Sequence, residues 1–360
     1  MCIRKSVTPC LMFLVLLGFM IIFSETARAD ALRDEMIARA KTEKQIVIGG
    51  GTADQYRDSL VNFRKMYPFI TVKAFVSDTA TTVNRIVAEA KAGRASIDMV
   101  NLAGDALELL AEAQLLQKVE NLHLNDFYPG TQPNHGYYVQ QFIIPRVQGI
   151  YNTDLVSPGE VPRSWEDMAD PKWAGKTMIS RSAEEIPSLL AFMWGKEGKL
   201  DWDRAFDFFT KLEKQKPIIA RGMRGGNQQL AAGETAIFWF SSVGPSSRMH
   251  FQGAPVGLIA FPKFPGPFRS SGIIKNAQNP AAAWLFIDYL SSPQGQYDYT
   301  DLVSAELPLN KKAEAGKLTR WVLSQGGTIE NAVTIPAEFI NNKEVSKKSE
   351  DFFLRLLGIR

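Results

Sequence analysis

The chain has 360 residues, 45% of them hydrophobic, with 41 Lys and Arg against 38 Asp and Glu. A charge this near balance, without basic runs, gives no footprint for nucleic acid or an anionic membrane surface. Its two cysteines, Cys2 and Cys10, both lie at the very start. The rest of the chain therefore has no thiol for a disulfide, a thiolate metal site or a nucleophile.

Arg4 and Lys5 precede an apolar run from Leu11 to Phe23, and Ala27-Arg28-Ala29 then supplies a small-residue cleavage pattern before Asp30. Together these read as a secretory signal peptide over residues 1–29, the apolar run being short of the roughly 20 residues a membrane span requires. Removing Arg4, Lys5, Arg28 and Glu25 leaves 38 basic and 37 acidic residues. What remains is long enough to form two domains, and no later stretch approaches the length of a membrane span.

Asp30–Thr42 reads as a short amphipathic helix. Gln45–Gly49 has the apolar character of a buried parallel strand. Gly49-Gly50-Gly51-Thr52 leads from it into a helix whose Tyr56, Leu60, Phe63 and Met66 recur at helical spacing until Pro68. Ile70–Phe75 is a second strand, Ser77–Thr82 opens a helix over Val83–Ala92, and Ile97–Val100 is a third strand followed by Asn101–Asp105 and a helix over Ala106–Ala113. This alternation predicts an open parallel sheet wrapped by helices, with ligands beyond the carboxyl ends of the strands. Gly50–Thr52, Ser77–Thr82 and Asn101–Asp105 are then the pocket loops of this half.

Gly149–Asn152 reads as a strand, and Ser164 with Glu166-Asp167 as the capped start of a short helix closed by Asp170-Pro171. Gln148–Lys176 as a whole reads as a compact crossing between two bodies of chain. Lys176–Ser180 is a strand, Ser182–Glu185 a capping box opening a helix through Trp194, and Asp201–Gln215 another helix. Pro217–Ala220 is a strand leading to a glycine-rich loop, Arg221–Asn227, before a short helix over Gln228–Ala232. Thr235–Phe240 is a strong strand ending in a loop, Ser241–Ser247. Phe264–Ser271 is expected to be exposed or near a hinge. Pro280–Ser291 is a helix with proline at its first position, and the charged segment from Lys311 is expected to pack as helices on the outside.

YNTDLV followed by SWEDMADPKWAGK resembles a segment of the periplasmic substrate-binding proteins of ABC importers, in the branch that includes ferric-ion-binding proteins. FRKMYPFITV, VNRIVAEAKAGRASIDMV, LAAGETAIFWF, NPAAAWLFIDYLSSPQGQ and LPLNKK are similar to further stretches of that branch, in the same order. The resemblance implies an α/β, two-lobed type II binding-protein fold with hinge strands between the lobes. The expected division is residues 30–147 with about 268–306 in one lobe and 148–267 with about 307–360 in the other. It also implies a periplasmic monomer that delivers a small solute to a membrane permease driven by a cytoplasmic ATPase, with no cofactor.

The ferric-binding pattern itself is broken. Those relatives carry adjacent tyrosines shortly after the GE-containing segment, where this chain reads FSSVGPSSRM, and a histidine near the first strand, where it has Gly49-Gly50-Gly51-Thr52. Tyr137-Tyr138 lies in the wrong place and reads as packing, and His123, His135 and His250 have no ligand spacing. Hydroxyls at strand ends and helix starts (Thr52, Ser77, Thr81, Thr82, Ser180, Ser182, Ser241 and Ser242), together with Asn227, can donate to an anion. Arg181, Arg221 and Arg224 offer planar forks suited to a carboxylate, phosphonate or phosphate ester. The expected ligand is therefore a small organic anion. Alternatives are ferric iron or an iron chelate for import, or the input of a membrane sensor. With no G-x-S-x-G elbow and no HExxH, an enzyme is not expected.

Overall fold

The computed structural model describes residues 27–103, 106–146, 148–241, 243–261, 263–335, 339 and 342–358. The apolar segment read as a signal peptide lies outside them apart from residues 27–29, which begin a helix reaching residue 43. Among the described residues no helix is long and apolar enough to cross a membrane.

The strands in chain order are β1 (Gln45–Gly49), β2 (Thr71–Phe75), β3 (Met99–Ala103), β4 (Val139–Ile143), β5 (Gly149–Asn152), β6 (Thr177–Ser180) and β7 (Ile218–Ala220). They continue with β8 (Ile237–Trp239), β9 (Val256–Ile259), β10 (Phe264–Pro265), β11 (Phe268–Ile273), β12 (Leu307–Pro308) and β13 (Ala332–Val333). One sheet has the order β12-β4-β11-β3-β1-β2 and another β7-β6-β8-β5-β9, with β10 and β13 forming a parallel pair. In the first sheet β1 runs parallel to β2 and β3, while β11 is antiparallel to β3 and β4. In the second, β6 runs parallel to β7 and β8, and β5 is antiparallel to β8 and β9. Each sheet is thus a parallel β-α-β unit completed by antiparallel strands, the α/β two-lobed arrangement expected.

Each lobe has its own core. In the first, the helix Pro280–Ser291, apolar on every side apart from Asp288 and Ser291, is buried along almost its whole length. Its Phe286 meets Phe63 and Tyr56 edge to face at centroid distances of 4.9 and 5.6 Å. In the second lobe Trp165 packs edge-on against Trp194, Phe208 and Phe261. Phe206 stacks on Phe352 at 3.8 Å, holding the C-terminal helix Lys343–Leu356 to the outside.

Several expectations are corrected. The glycine-rich stretch is not a loop, because Met223–Ala231 is one helix. A Cβ on Gly226 would lie 2.4 Å from the Phe238 ring, so that glycine lets the helix press onto β8. Within the expected loop Ser241–Ser247, Val243–Ser247 belong to a helix, Val243–Phe251. The proposed capping box does not form. Ser182 N–H donates to Ser180 Oγ, and the helix begins only at Ile186 without a side-chain cap. The Ser77–Thr82 segment is shorter than expected, since Asp78 caps a helix that starts at Thr79. Phe264–Ser271, expected to be exposed or near a hinge, is largely buried, and it supplies β10 and β11 where the chain returns from the second sheet to the first.

Gln148–Lys176 is not a crossing as a whole, because from Gly149 onward it already belongs to the second sheet. The chain leaves the first sheet between β4 and β5 and returns to it between β9 and β11. Gln148, fully buried, ties these two passages together. Its backbone carbonyl accepts from Phe240 N–H at 2.7 Å, its side-chain carbonyl from Phe261 N–H at 2.6 Å, and its amide donates to Lys263 C=O at 3.5 Å. Within the expected helix near Ser164 the local reading holds, with Ser164 Oγ accepting from Asp167 N–H at 3.0 Å.

Candidate ligand-binding cleft

A cleft of about 350 Å³ opens where the two sheets face each other. The first sheet contributes the residues beyond its parallel strands: Gly51, Thr52 and Gln55 after β1, Asp78 and Thr79 after β2, and Asn101–Ala103 at the end of β3. That is where open α/β sheets bind ligands. Arg224 reaches in from the helix Met223–Ala231, and Ser241, Val243–Pro245 and Arg248 from the end of β8 and the helix after it. Ile144–Arg146, Arg269 and Ser304–Glu306 form the floor at the passages between lobes.

Four arginines line this space, and their partners differ. Arg269 is held by Glu306 at 2.7 Å, both almost buried, and Ser304 Oγ donates to the same carboxylate at 3.2 Å. Burial works against that guanidinium's charge, but Glu306 outweighs it and raises the pKa well above the usual arginine value. Arg146 pairs with Glu185 at 2.9 Å. Among the described residues Arg248 donates to one hydrogen-bond partner, the carbonyl of Val303. Burial lowers its pKa, and the charge of Arg224 lowers it further against the opposing pull of Tyr299 and Asp54. Arg224 is exposed and has no ion pair among the described residues. Among the described residues, then, neither of these two guanidiniums has an ion pair, although the charge of Asp54 acts on Arg248.

The structure brings together Thr52, Arg224 and Ser241 of the expected site. Asn227 stands directly behind, accepting from Ser241 Oγ at 2.5 Å and donating to Ser246 Oγ at 3.1 Å, so it positions Ser241. The others stand outside the cleft lining. Thr81 and Thr82 are consumed by the helix cap, bonding Asp78 Oδ2 and Asp78 C=O at 2.7 and 2.8 Å. Ser77 lies behind Gly51. Ser180 is buried beneath its turn, while Arg181, Ser182 and Arg221 are exposed. Ser242 lies outside the described residues.

Arg146, Arg248, Arg269, Gln55, Asp78 and Glu306 were missed. For Arg248 a signal existed: in a helix, Gly244 and Arg248 share one face. Arg269 and Glu306 meet only through the pairing of β4 with both β11 and β12, which no local pattern carries.

The aromatic and imidazole groups stand elsewhere. Tyr138 is buried and donates to Glu108 at 2.6 Å, with His135 beside the same carboxylate at 3.1 Å. His123 lies 3.3 Å from Asp288, and His250 bonds Val256 C=O and stacks on Trp321. Trp239 and Phe240 are both buried in the second core. Tyr56 and Tyr299 lie beneath the floor, fully buried. Burial pushes Tyr56 up to about 12 and Tyr299 well above an ordinary phenol.

The model of the family described as bacterial extracellular solute-binding protein matches residues 59–324. The chain belongs to this family. It is 24% identical over 220 residues to an Fe(3+)-binding periplasmic protein of Serratia marcescens, covering 59% of this chain and 63% of that one. Iron uptake protein A1 of Synechocystis is 29% identical over 182 residues, covering 45% and 49%. The match therefore spans less than two thirds of either curated relative. Among solved structures, the periplasmic binding protein AfuA of Actinobacillus pleuropneumoniae, with exogenous fructose-6-phosphate bound, superposes with a TM-score of 0.64 at 19% identity. The superposition covers 88% of this chain and 99% of that one. Iron-bound HitA of Pseudomonas aeruginosa gives 0.65 at 17% identity, covering 87% and 99%. The solute-binding protein described here thus has the fold of these type II periplasmic binding proteins.

Proposed function

We propose that this chain is the periplasmic component of an ABC importer. In this reading it is secreted through a cleaved N-terminal signal and binds a small organic anion (a carboxylate, phosphonate or phosphate ester) between its lobes. It then presents the closed form to a membrane permease driven by a cytoplasmic ATPase, and it acts as a carrier, with no catalytic role. The observation that carries the ligand class is the Arg224–Arg248 wall, two guanidiniums in the cleft lining that form no ion pair among the described residues. The cleft volume supports an organic molecule over a bare ion, being more than twice the about 150 Å³ that accommodates benzene. Each charge-assisted contact contributes about 1.5–3 kcal/mol. Two of them approach the ~5.5 kcal/mol that moves a hinge from mostly open to mostly closed.

Iron is the second reading, favoured by the names of the two relatives matched in sequence, an Fe(3+)-binding periplasmic protein and an iron uptake protein. Against direct coordination, the described cleft lining offers no tyrosine or histidine, and Tyr56 and Tyr299 resist forming phenolates. Thermal unfolding with ferric ion, ferric citrate, phosphonates, phosphate esters and carboxylates separates the two. Ligand at a thousand times its Kd stabilises by about 4 kcal/mol. An upward shift with one organic-anion class, lost in Arg224→Ala, is expected. A shift with free ferric ion alone would overturn the anion reading, and one with ferric citrate alone would replace it with an iron chelate.

A further inference from the structure

Arg269 stands on β11 of the first sheet, paired with Ala103 at the carboxyl end of β3, and both residues line the cleft. Its ion pair with Glu306 uses one side of the guanidinium only. Nε donates to Glu306 Oε1 at 2.8 Å and to Oε2 at 2.7 Å, while the terminal nitrogens Nη1 and Nη2 donate to no atom among the described residues. A side-chain nitrogen without a partner is either sealed from solvent, as Arg146 Nε is, or open to it, and the two terminal nitrogens of Arg269 are open. The side chain is 13% exposed and the residue belongs to the cleft lining, so the opening is toward the cleft.

Glu306 is itself fixed, buried and accepting from Ser304 Oγ at 3.2 Å. The same short segment anchors an arginine of the other lobe, because Val303 C=O accepts from Arg248. Gly244, one turn before Arg248 in the helix Val243–Phe251, lies so close to Ser304 that a Cβ there would stand 2.7 Å from its hydroxyl oxygen. Val303–Glu306 thus holds Arg248 from the second lobe and Arg269 from the first. Glu306 offsets the charge of Arg269 without occupying its fork, and a planar fork is the geometry that takes two oxygens of a carboxylate or phosphoryl group at once.

We propose that Arg269 binds the anion directly through Nη1 and Nη2, so that the anion bridges Arg224 and Arg248 of the second lobe and Arg269 of the first. This rests on the organic-anion reading above and deepens it. A ligand held by one lobe alone binds the open and closed forms alike and shifts nothing between them, whereas one held by both binds the closed form better and drives closure. Arg269 is the first lobe's share of that difference. Lysine in its place keeps a charge for Glu306 but, as a point charge, has no planar fork to offer.

Titration calorimetry on the purified protein tests this with a hexose 6-phosphate, n-propylphosphonate, gluconate and butyrate. At least one is expected to bind the parent, and Arg269→Lys should weaken the tightest of them tenfold or more. The saturated variant should also show a smaller decrease in radius of gyration by small-angle scattering than the saturated parent. A merely structural Arg269 would lower the melting temperature without ligand and leave both readouts as they are. A crystal structure of the parent with the same probe gives a second measurement that does not depend on the variant folding. An anion oxygen within about 3.2 Å of Nη1 or Nη2 is expected there, and an anion held by Arg224 and Arg248 alone would overturn the inference. Parent-like affinity and closure in Arg269→Lys would also overturn it, while leaving the organic-anion reading standing. No binding of any of the four to the parent would overturn both.

Discussion

Arg224 and Arg269 both line the cleft, but removing them should have opposite consequences. Arg224 is exposed and carries no ion pair among the described residues, so on the function proposed above Arg224→Ala deletes only a ligand contact. Affinity should fall at least tenfold, the equivalent of about 1.4 kcal/mol, while the melting temperature without ligand moves by less than a degree or two. Arg269→Ala instead strands Glu306, which is 2% exposed. Breaking a buried pair from one side costs about 3–5 kcal/mol, so the urea midpoint without ligand should drop markedly. An Arg269 variant as stable as the parent would show that water reaches Glu306 freely. The sequence made Arg224 legible for a mistaken reason. Its glycine neighbours suggested a loop approaching a ligand, whereas Gly226 serves the contact with Phe238. The hydroxyls were over-read because Thr81 and Thr82 look alike whether they await an anion or, as here, bond Asp78.

At the scale of elements, long apolar segments were readable and polar helices were not. Pro280–Ser291 matches its expected bounds because proline marks its start and apolar residues fill it. Met223–Ala231 carries three glycines and polar residues in its helix and its cap, so propensity argues against a helix that packing on β8 nonetheless secures. Gly226→Ala tests that packing. Its added methyl must displace the Phe238 ring, an overpacking cost of about 1–3 kcal/mol, and it should also weaken ligand binding by shifting Arg224. The helix at residues 27–43 gives a second test. Its Arg33 bonds Asp288 at 3.0 Å. Burial alone would raise the pKa of Asp288, but His123 and Arg33 outweigh it and hold the carboxyl below its usual range. A depressed carboxyl pKa adds stability that is present above the unfolded value of about 3.9 and is lost as pH falls through the folded one. Asp288→Asn should therefore flatten the acid limb of the stability–pH curve below about pH 4. An unchanged limb would assign acid sensitivity to other carboxylates.

At the scale of the molecule, closure requires the passages between lobes to bend together. Gln148 is the residue that joins them: one buried side chain spans the first passage and both Phe261 and Lys263 of the second. Lys263 has φ of 71°, a left-handed conformation that costs a residue other than glycine about 1–3 kcal/mol. The amide of Gln148 helps hold it there. Nothing in a glutamine before a short strand announces this role, because it depends on where β8 and β9 return in space. Gln148→Ala leaves Phe261 N–H without its acceptor, so stability should fall by about 1–3 kcal/mol. The ligand also has a second cost to meet. With the passages uncoupled, the open state gains conformations that closure must give up, and apparent affinity falls in proportion to the fraction of molecules competent to bind. On the function proposed above, the variant should bind its ligand several-fold more weakly although Gln148 is not among the residues lining the cleft. It should still show the parent's decrease in radius of gyration by small-angle scattering once saturated. Equal affinity in the destabilised variant would mean that the passages bend independently, and that the ligand alone, bridging the two walls, sets the closed geometry.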